Sequence, residues 1–182
     1  MRRRGALLFW AGMLAALGAG WAGFPRLIYR SQPQPVAFSH KVHAEKGGMK
    51  CEDCHEVRAE GSFAGIPPVE KCATCHSAAM GATEAEKQFI DRYVTPQREV
   101  EWVVYSRQPE NVYFSHAAHI KLGHLECASC HQDHGRSDTL RVYEEDRISG
   151  YSRDIWRGMK MDDCVACHRQ HGIGNSCLNC HK

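Results

Sequence analysis

Beyond residue 30 the chain lacks any surplus of positive charge. Its 18 Lys and Arg stand there against 21 Asp and Glu, a net of −3. A nucleic-acid footprint needs a basic face, so no nucleic acid is expected as a partner. The first thirty residues lack the opposite sign: Arg2, Arg3, Arg4, Arg26 and Arg30 occur there without a single acid. At 182 residues the chain is too short for a multidomain enzyme, and 43% apolar residues exclude both a polytopic membrane protein and wholesale disorder. The abundance lies elsewhere. Ten cysteines and twelve histidines point to cofactor or metal chemistry.

Three arginines precede an uncharged stretch from Gly5 to Phe24. Twenty residues are about enough to cross a ~30 Å hydrocarbon core as a helix. The positive-inside rule keeps Arg2 to Arg4 cytoplasmic and exports everything after Phe24. A cleaved secretory signal has the same charged start and apolar middle, and export follows from either reading. Gly20-Trp21-Ala22 matches a cleavage site poorly, which favours a retained anchor over residues 1–30. Ala11, Ala15, Ala19 and Gly23 form a small-residue stripe along it.

The cysteines sort into Cys51/Cys54, Cys72/Cys75, Cys127/Cys130, Cys164/Cys167 and Cys177/Cys180, with none left over. Each pair is followed at once by a histidine: His55, His76, His131, His168 and His181. Five such coincidences by chance have a probability on the order of one in a million. Two thiols one turn apart can each form a thioether to a haem vinyl group, and the adjacent imidazole then falls under the iron as proximal ligand. Zinc ribbons do not require that histidine, and five pairs would leave half a site over. Five disulfides in such tight pairs would close tiny loops and stabilise little. The pattern therefore favours five covalently attached c-type haems. At about one haem per 36 residues an ordinary apolar core cannot form, so the porphyrins become the core. The expected fold is mainly short helices and loops wrapped around five haems, with little sheet and one N-terminal transmembrane helix.

Laid on itself with an offset of 76, FSHKVHAEKGGMKCEDCH (38–55) aligns with FSHAAHIKLGHLECASCH (114–131), and Gln32, Pro33 and Val36 find identical partners in Gln108, Pro109 and Val112. The haem domain, residues 31–182, thus reads as a partial duplication of segments 32–76 and 108–181. Each copy carries a His-x-x-His pair, His40/His43 and His116/His119, whose members share one helical face and suit two neighbouring irons. His134 and His171 each follow a proximal histidine by three residues. Five irons need sixth ligands, and the candidates are His40, His43, His116, His119, His134 and His171, with Met159 or Met161 as alternatives to His171. His124 aligns with Gly48 and reads as a bystander. Iron held mostly by two imidazoles is six-coordinate and low-spin, with no open position for a substrate, which points to an electron carrier with no catalytic residues. Such ligation gives potentials below those of His/Met sites.

Between the two halves, Ser77 to Glu110 contains no Cys or His. Thr83 with Glu86 resembles a capping box, and Phe89, Ile90, Tyr93 and Val94 form an apolar stripe before Pro96. That stripe packs on a haem or the other half, or else docks a partner. Trp102 to Tyr105 reads as a strand-like run, and Thr139 to Lys160 as a loop or short helix anchored by Trp156. Ten propionates against five ferric charges take the exported part from −3 to about −8, a surface that steers basic partners.

The stretches PVAFSHKVHAEKGGMKCEDCH, IPPVEKCATCH, WVVYSRQPENVYFSHAAH, MDDCVACH and SCLNCHK together resemble the membrane-anchored pentahaem cytochrome subunit of alternative complex III. They are also similar to the multihaem subunit of the related menaquinone reductase complexes. His-x-x-His ahead of Cys-x-x-Cys-His is shared more broadly with class III cytochromes c. The resemblance implies that His40 caps the haem at Cys51/Cys54 and His116 the haem at Cys127/Cys130, with His43 and His119 reaching other haems. It further implies an iron-sulfur subunit, an integral membrane quinone-binding subunit and other cytochromes as partners, at the periplasmic side of the cytoplasmic membrane. A stand-alone membrane-anchored quinol dehydrogenase feeding periplasmic reductases is the alternative, and it requires a quinone pocket beside a haem with an open or unusual ligand.

Overall fold

The computed structural model describes residues 2–61, 64–104, 108–150 and 159–181. Tyr105 and Trp156 lie outside these. Helix α1 (Arg2–Ile28) carries the apolar run, and its Arg4–Ile28 portion is long and apolar enough to cross a membrane, with none of it buried against the rest of the chain. At about 1.5 Å per residue its 25 residues exceed a ~30 Å hydrocarbon core. The helix continues past Phe24 through Pro25, and the Arg26 guanidinium donates back to the Ala22 carbonyl at 3.3 Å.

The chain leaves α1 straight into β1 (Tyr29–Gln32), which pairs antiparallel with β2 (Tyr143–Asp146), Tyr29 opposite Asp146 and Gln32 opposite Tyr143. The Gln32 amide donates to Glu145 at 2.6 Å, and buried Tyr143 donates its hydroxyl to the Gly150 carbonyl at 2.8 Å. The stretch expected to be loop or short helix from Thr139 onward therefore contains a strand. Its edge is satisfied by the segment that leaves the apolar helix, a tertiary pairing that local propensity cannot report.

The other elements are short. They are α2 (His40–Glu45), α3 (Cys51–Cys54), α4 (Val69–His76), α5 (Glu84–Phe89), α6 (Ala128–His131), α7 (Met161–Gln170) and α8 (Cys177–Cys180), with π-helical turns at Ile90–Val94 and Ala118–Leu122 and a 3₁₀ turn at Gln132–Arg136. Among the described residues the buried apolar core consists of Val69, Tyr93 and Val100, bordered by Val36, Phe89, Val94 and Trp102, with Tyr143 buried apart from it. The apolar stripe after Thr83 thus packs inward, onto α4. It is not one regular helix: after Phe89 the backbone widens to i→i+5 bonding, with Thr95 N–H donating to the Ile90 carbonyl at 2.8 Å before Pro96.

The strand-like run at Trp102 to Val104 forms no strand. The Gln34 side chain takes the place of a neighbouring strand, donating to the Val103 carbonyl at 2.7 Å and accepting from its N–H at 3.0 Å. The capping box is also half formed. Thr83 Oγ accepts from Glu86 N–H at 3.3 Å, but the Glu86 carboxylate turns toward Met80, Gly81 and His76 instead of the cap.

Candidate functional site

Both His-x-x-His pairs are set by the same local device. Ser39 Oγ accepts from Val42 N–H at 3.1 Å and Ser115 Oγ from Ala118 N–H at 3.2 Å, so each serine caps the turn that presents its histidines. The exit is repeated too: Met49 N–H donates to the His43 carbonyl at 3.2 Å, and Leu125 N–H to the His119 carbonyl at 3.1 Å. A Cβ at Gly47 would lie 2.6 Å from the His43 carbonyl oxygen, and one at Gly123 2.7 Å from that of His119. Both turns close only over glycine. Gly48 next to it has φ +66°, and its counterpart His124 adopts φ +52°, in the left-handed region.

Each Cys-x-x-Cys lies in a helical turn, in α3, α4, α7 and α8 and at the start of α6, with its histidine directly after. Asp53 and Asp163 accept the Lys50 and Lys160 N–H groups at 2.7 and 2.8 Å, closing the first turns of α3 and α7. No two of the ten cysteines are joined in a disulfide. Burial pushes the Cys54, Cys72, Cys127, Cys130 and Cys164 thiols up from their ordinary pKa. Several also feel a thiol of another site. Cys72 senses Cys54, Cys127 contacts Cys51, Cys130 senses Cys167, and Cys164 senses Cys130 and Cys180. Cys72/Cys75 thus lies near Cys51/Cys54, Cys51/Cys54 near Cys127/Cys130, and Cys164/Cys167 near both Cys127/Cys130 and Cys177/Cys180.

The sequence treats the two thiols of a pair alike, and the structure separates them. Cys75 is exposed, whereas Cys72 is half-buried. In α4 Val69 faces the core, and Cys75, six residues on, comes about 120° round the helix from it. Cys75 thus lies off the face of α4 that packs inward. Its sulfur accepts from the Thr74 hydroxyl at 3.9 Å. Cys51 and Cys177 are exposed too, although Cys51 still meets Cys127.

The histidines meet in pairs. Ring centroids lie 6.3 Å apart for His40 and His55, 6.1 Å for His43 and His76, 6.3 Å for His116 and His131, and 6.1 Å for His119 and His168. Two imidazoles bound trans to one metal at metal–nitrogen lengths of about 2 Å need their centres a little over about 6 Å apart. The residues therefore fit a haem iron between each pair. The second nitrogen is occupied as such ligation requires. His43 Nδ1 donates to the Ser39 carbonyl at 2.7 Å, His119 Nδ1 to Ser115 at 2.8 Å, and His55 Nδ1 to Gly65 at 2.8 Å, each leaving Nε2 free. His76 Nδ1 instead meets a carboxylate, Glu86, at 2.9 Å. The Met80 and then the Gly81 backbone N–H hold that carboxylate below its usual range. Burial lowers His40 and His131, helped by His55 for the first and His116 for the second. Both are thus kept in the neutral form a metal takes.

The His134 ring lies 6.5 Å from that of His131, tilted by 41°, although His131 already faces His116. His171 caps α7 and is exposed, as are Met159 and Met161. Among the described residues no imidazole faces His181, whose backbone bridges to Val112. Sequence reasoning missed Glu86 as a partner of His76, because its spacing from Thr83 fits a cap equally well.

Residues 25–103 match the class III cytochrome c family. Over 98% of its length the chain is 42% identical to the multihaem cytochrome c subunit of menaquinone reductase from Nitratidesulfovibrio vulgaris, of which it spans 90%. With that relative, the chain belongs to a family of multihaem cytochrome c subunits.

Proposed function

We propose that this chain is a pentahaem electron relay, anchored by α1 in the cytoplasmic membrane, with residues 31–182 on the periplasmic side. In this reading it is a subunit of a menaquinone-linked oxidoreductase complex of the alternative complex III type. The observation that carries it is the set of four facing imidazole pairs, each at the span of a doubly ligated iron. Cys51/Cys54, Cys72/Cys75, Cys127/Cys130, Cys164/Cys167 and Cys177/Cys180 hold the haems, with His55, His76, His131, His168 and His181 as proximal ligands. His40, His43, His116 and His119 supply sixth ligands, and His134 or His171 is left for the fifth site. Bound haem supplies a one-electron couple. The protein disfavours the charged form of His40 and His131 by burial and fixes the tautomers of His43, His55 and His119 through Nδ1. The chain is then not itself the enzyme. An integral membrane quinone-binding subunit, an iron-sulfur subunit and other cytochromes are its partners, as befits a relative that is a menaquinone reductase subunit.

His181, with no imidazole facing it among the described residues, favours a second reading: a quinol dehydrogenase whose unusual haem contacts quinone. Expression of the full chain in a host with cytochrome c maturation tests both. The relay predicts a mass gain of five haems and chiefly low-spin ferric resonances at low temperature. A colourless folded product overturns the haem assignment. A high-spin component that disappears in the Cys177→Ser/Cys180→Ser variant supports the second reading.

A further inference from the structure

We infer that Glu86 is a positioning residue that lowers the reduction potential of the haem held at Cys72/Cys75; the inference rests on the haem reading above. Three of the facing histidines, His43, His55 and His119, place Nδ1–H on a neutral backbone carbonyl, whereas His76 places it on a carboxylate 2.9 Å away. A hydrogen bond from Nδ1 to an anion shifts electron density toward Nε2 and makes the imidazole a stronger donor. Ferric iron carries one more positive charge than ferrous iron, so both the stronger donor and the nearby anion favour the oxidised state.

The carboxylate is held for this task. Oε1 accepts from His76 and from Met80 N–H, both at 2.9 Å, and Oε2 accepts from Gly81 N–H at 2.8 Å. The Glu86 side chain is 12% exposed and that of His76 22%. Phe89, one turn along, sets its ring edge-on to His76 at 5.9 Å and closes the other side.

The test is a spectroelectrochemical titration of the full-length holoprotein. The component that vanishes in the Cys72→Ser/Cys75→Ser variant identifies this haem. In Glu86→Gln the acceptor keeps its shape and loses its charge. That component should move up by about tenfold in its reduction equilibrium, about 59 mV for one electron, while the other components stay in place and the resonances remain low-spin. Thr83→Ala, which removes the cap of the same helix, should lower stability and leave the potential unmoved. Should Glu86→Gln lose haem, Gly81→Ala reads the same contact, because its Cβ would sit 3.1 Å from Oε2 and displace the carboxylate. It should move the same component up by a smaller amount. An unmoved component in a fully loaded variant overturns the role of Glu86, as does an equal shift of every component. A haem count unchanged by the Cys72→Ser/Cys75→Ser variant overturns the haem reading instead.

Discussion

Two glycines and a histidine show how closely the backbone follows the ligand geometry. Gly47 and Gly123 sit where a side chain would strike the carbonyl of the histidine four residues back. A rigid backbone atom cannot step aside as a flexible side chain can. Gly47→Ala and Gly123→Ala should each destabilise the holoprotein by about 1–3 kcal/mol, the range for overfilling a close-packed site. Thermal melts should show the loss, together with reduced low-spin signal from the haems that His43 and His119 are proposed to serve. Gly135→Ala is the control, since nothing lies within 4 Å of its Cβ position. Equal melts for Gly47→Ala and Gly135→Ala would show that the turn can relax and that the glycine is incidental. The next position tells a milder story. His124 takes up the left-handed backbone that Gly48 provides in the other copy, so its backbone role is visible while no ligand role is.

At the level of elements, the sequence conveyed periodicity but not side-chain substitution for backbone partners. Trp102 to Val104 has the apolar character of a strand, yet its hydrogen bonds go to Gln34, 69 residues earlier. Phe38 lies edge-on to Trp102 at 6.3 Å and stacks on His43 at 4.3 Å, so the clamp reaches a candidate ligand through two rings. Gln34→Ala removes two hydrogen bonds, each worth about 0.5–1.5 kcal/mol. The Val103 amide should lose hydrogen-exchange protection, and the haem that His43 is proposed to serve should show an altered low-spin signal. Retained protection at Val103 would mean that packing alone holds the segment. Similar logic hid the sheet. Strands of four residues have too little alternation to register, and Gln32 meets Glu145 across 113 residues of chain. The exposure of Cys75 was hidden as well. Its spacing from Cys72 is local, but the side of α4 that turns inward is chosen by Val69 packing with Tyr93 and Val100. The capped histidine turns were legible for the opposite reason. Ser39 and Ser115 act on neighbours three residues away, and the duplication printed the signal twice.

Among the described residues the buried apolar core is small. Val69, Tyr93 and Val100 make one small cluster, and side chains of their size contribute about 1.5–3 kcal/mol each when fully buried. Fixing the backbone of each ordered residue costs about 1–2 kcal/mol, so that cluster cannot order the five cysteine sites and their loops. The contacts that tie the halves together lead back to the histidines. Ala117 N–H and Ser115 Oγ both donate to the Gly61 carbonyl, at 2.9 and 3.2 Å, joining the loop after the first site to the turn that presents His116 and His119. Lys41 N–H donates to the Ser137 carbonyl at 3.1 Å, tying the first turn to the segment after His134. Both ties hold imidazoles whose position gains its energy only when iron joins them. Chain made without haem attachment should therefore retain α1 and lose the remainder. Limited proteolysis should cut it throughout residues 31–182, and near-ultraviolet circular dichroism should lack the aromatic bands of the holoprotein. A protease-resistant haem-free domain would show that the polypeptide orders these histidines unaided, and that porphyrin is not the core of the fold.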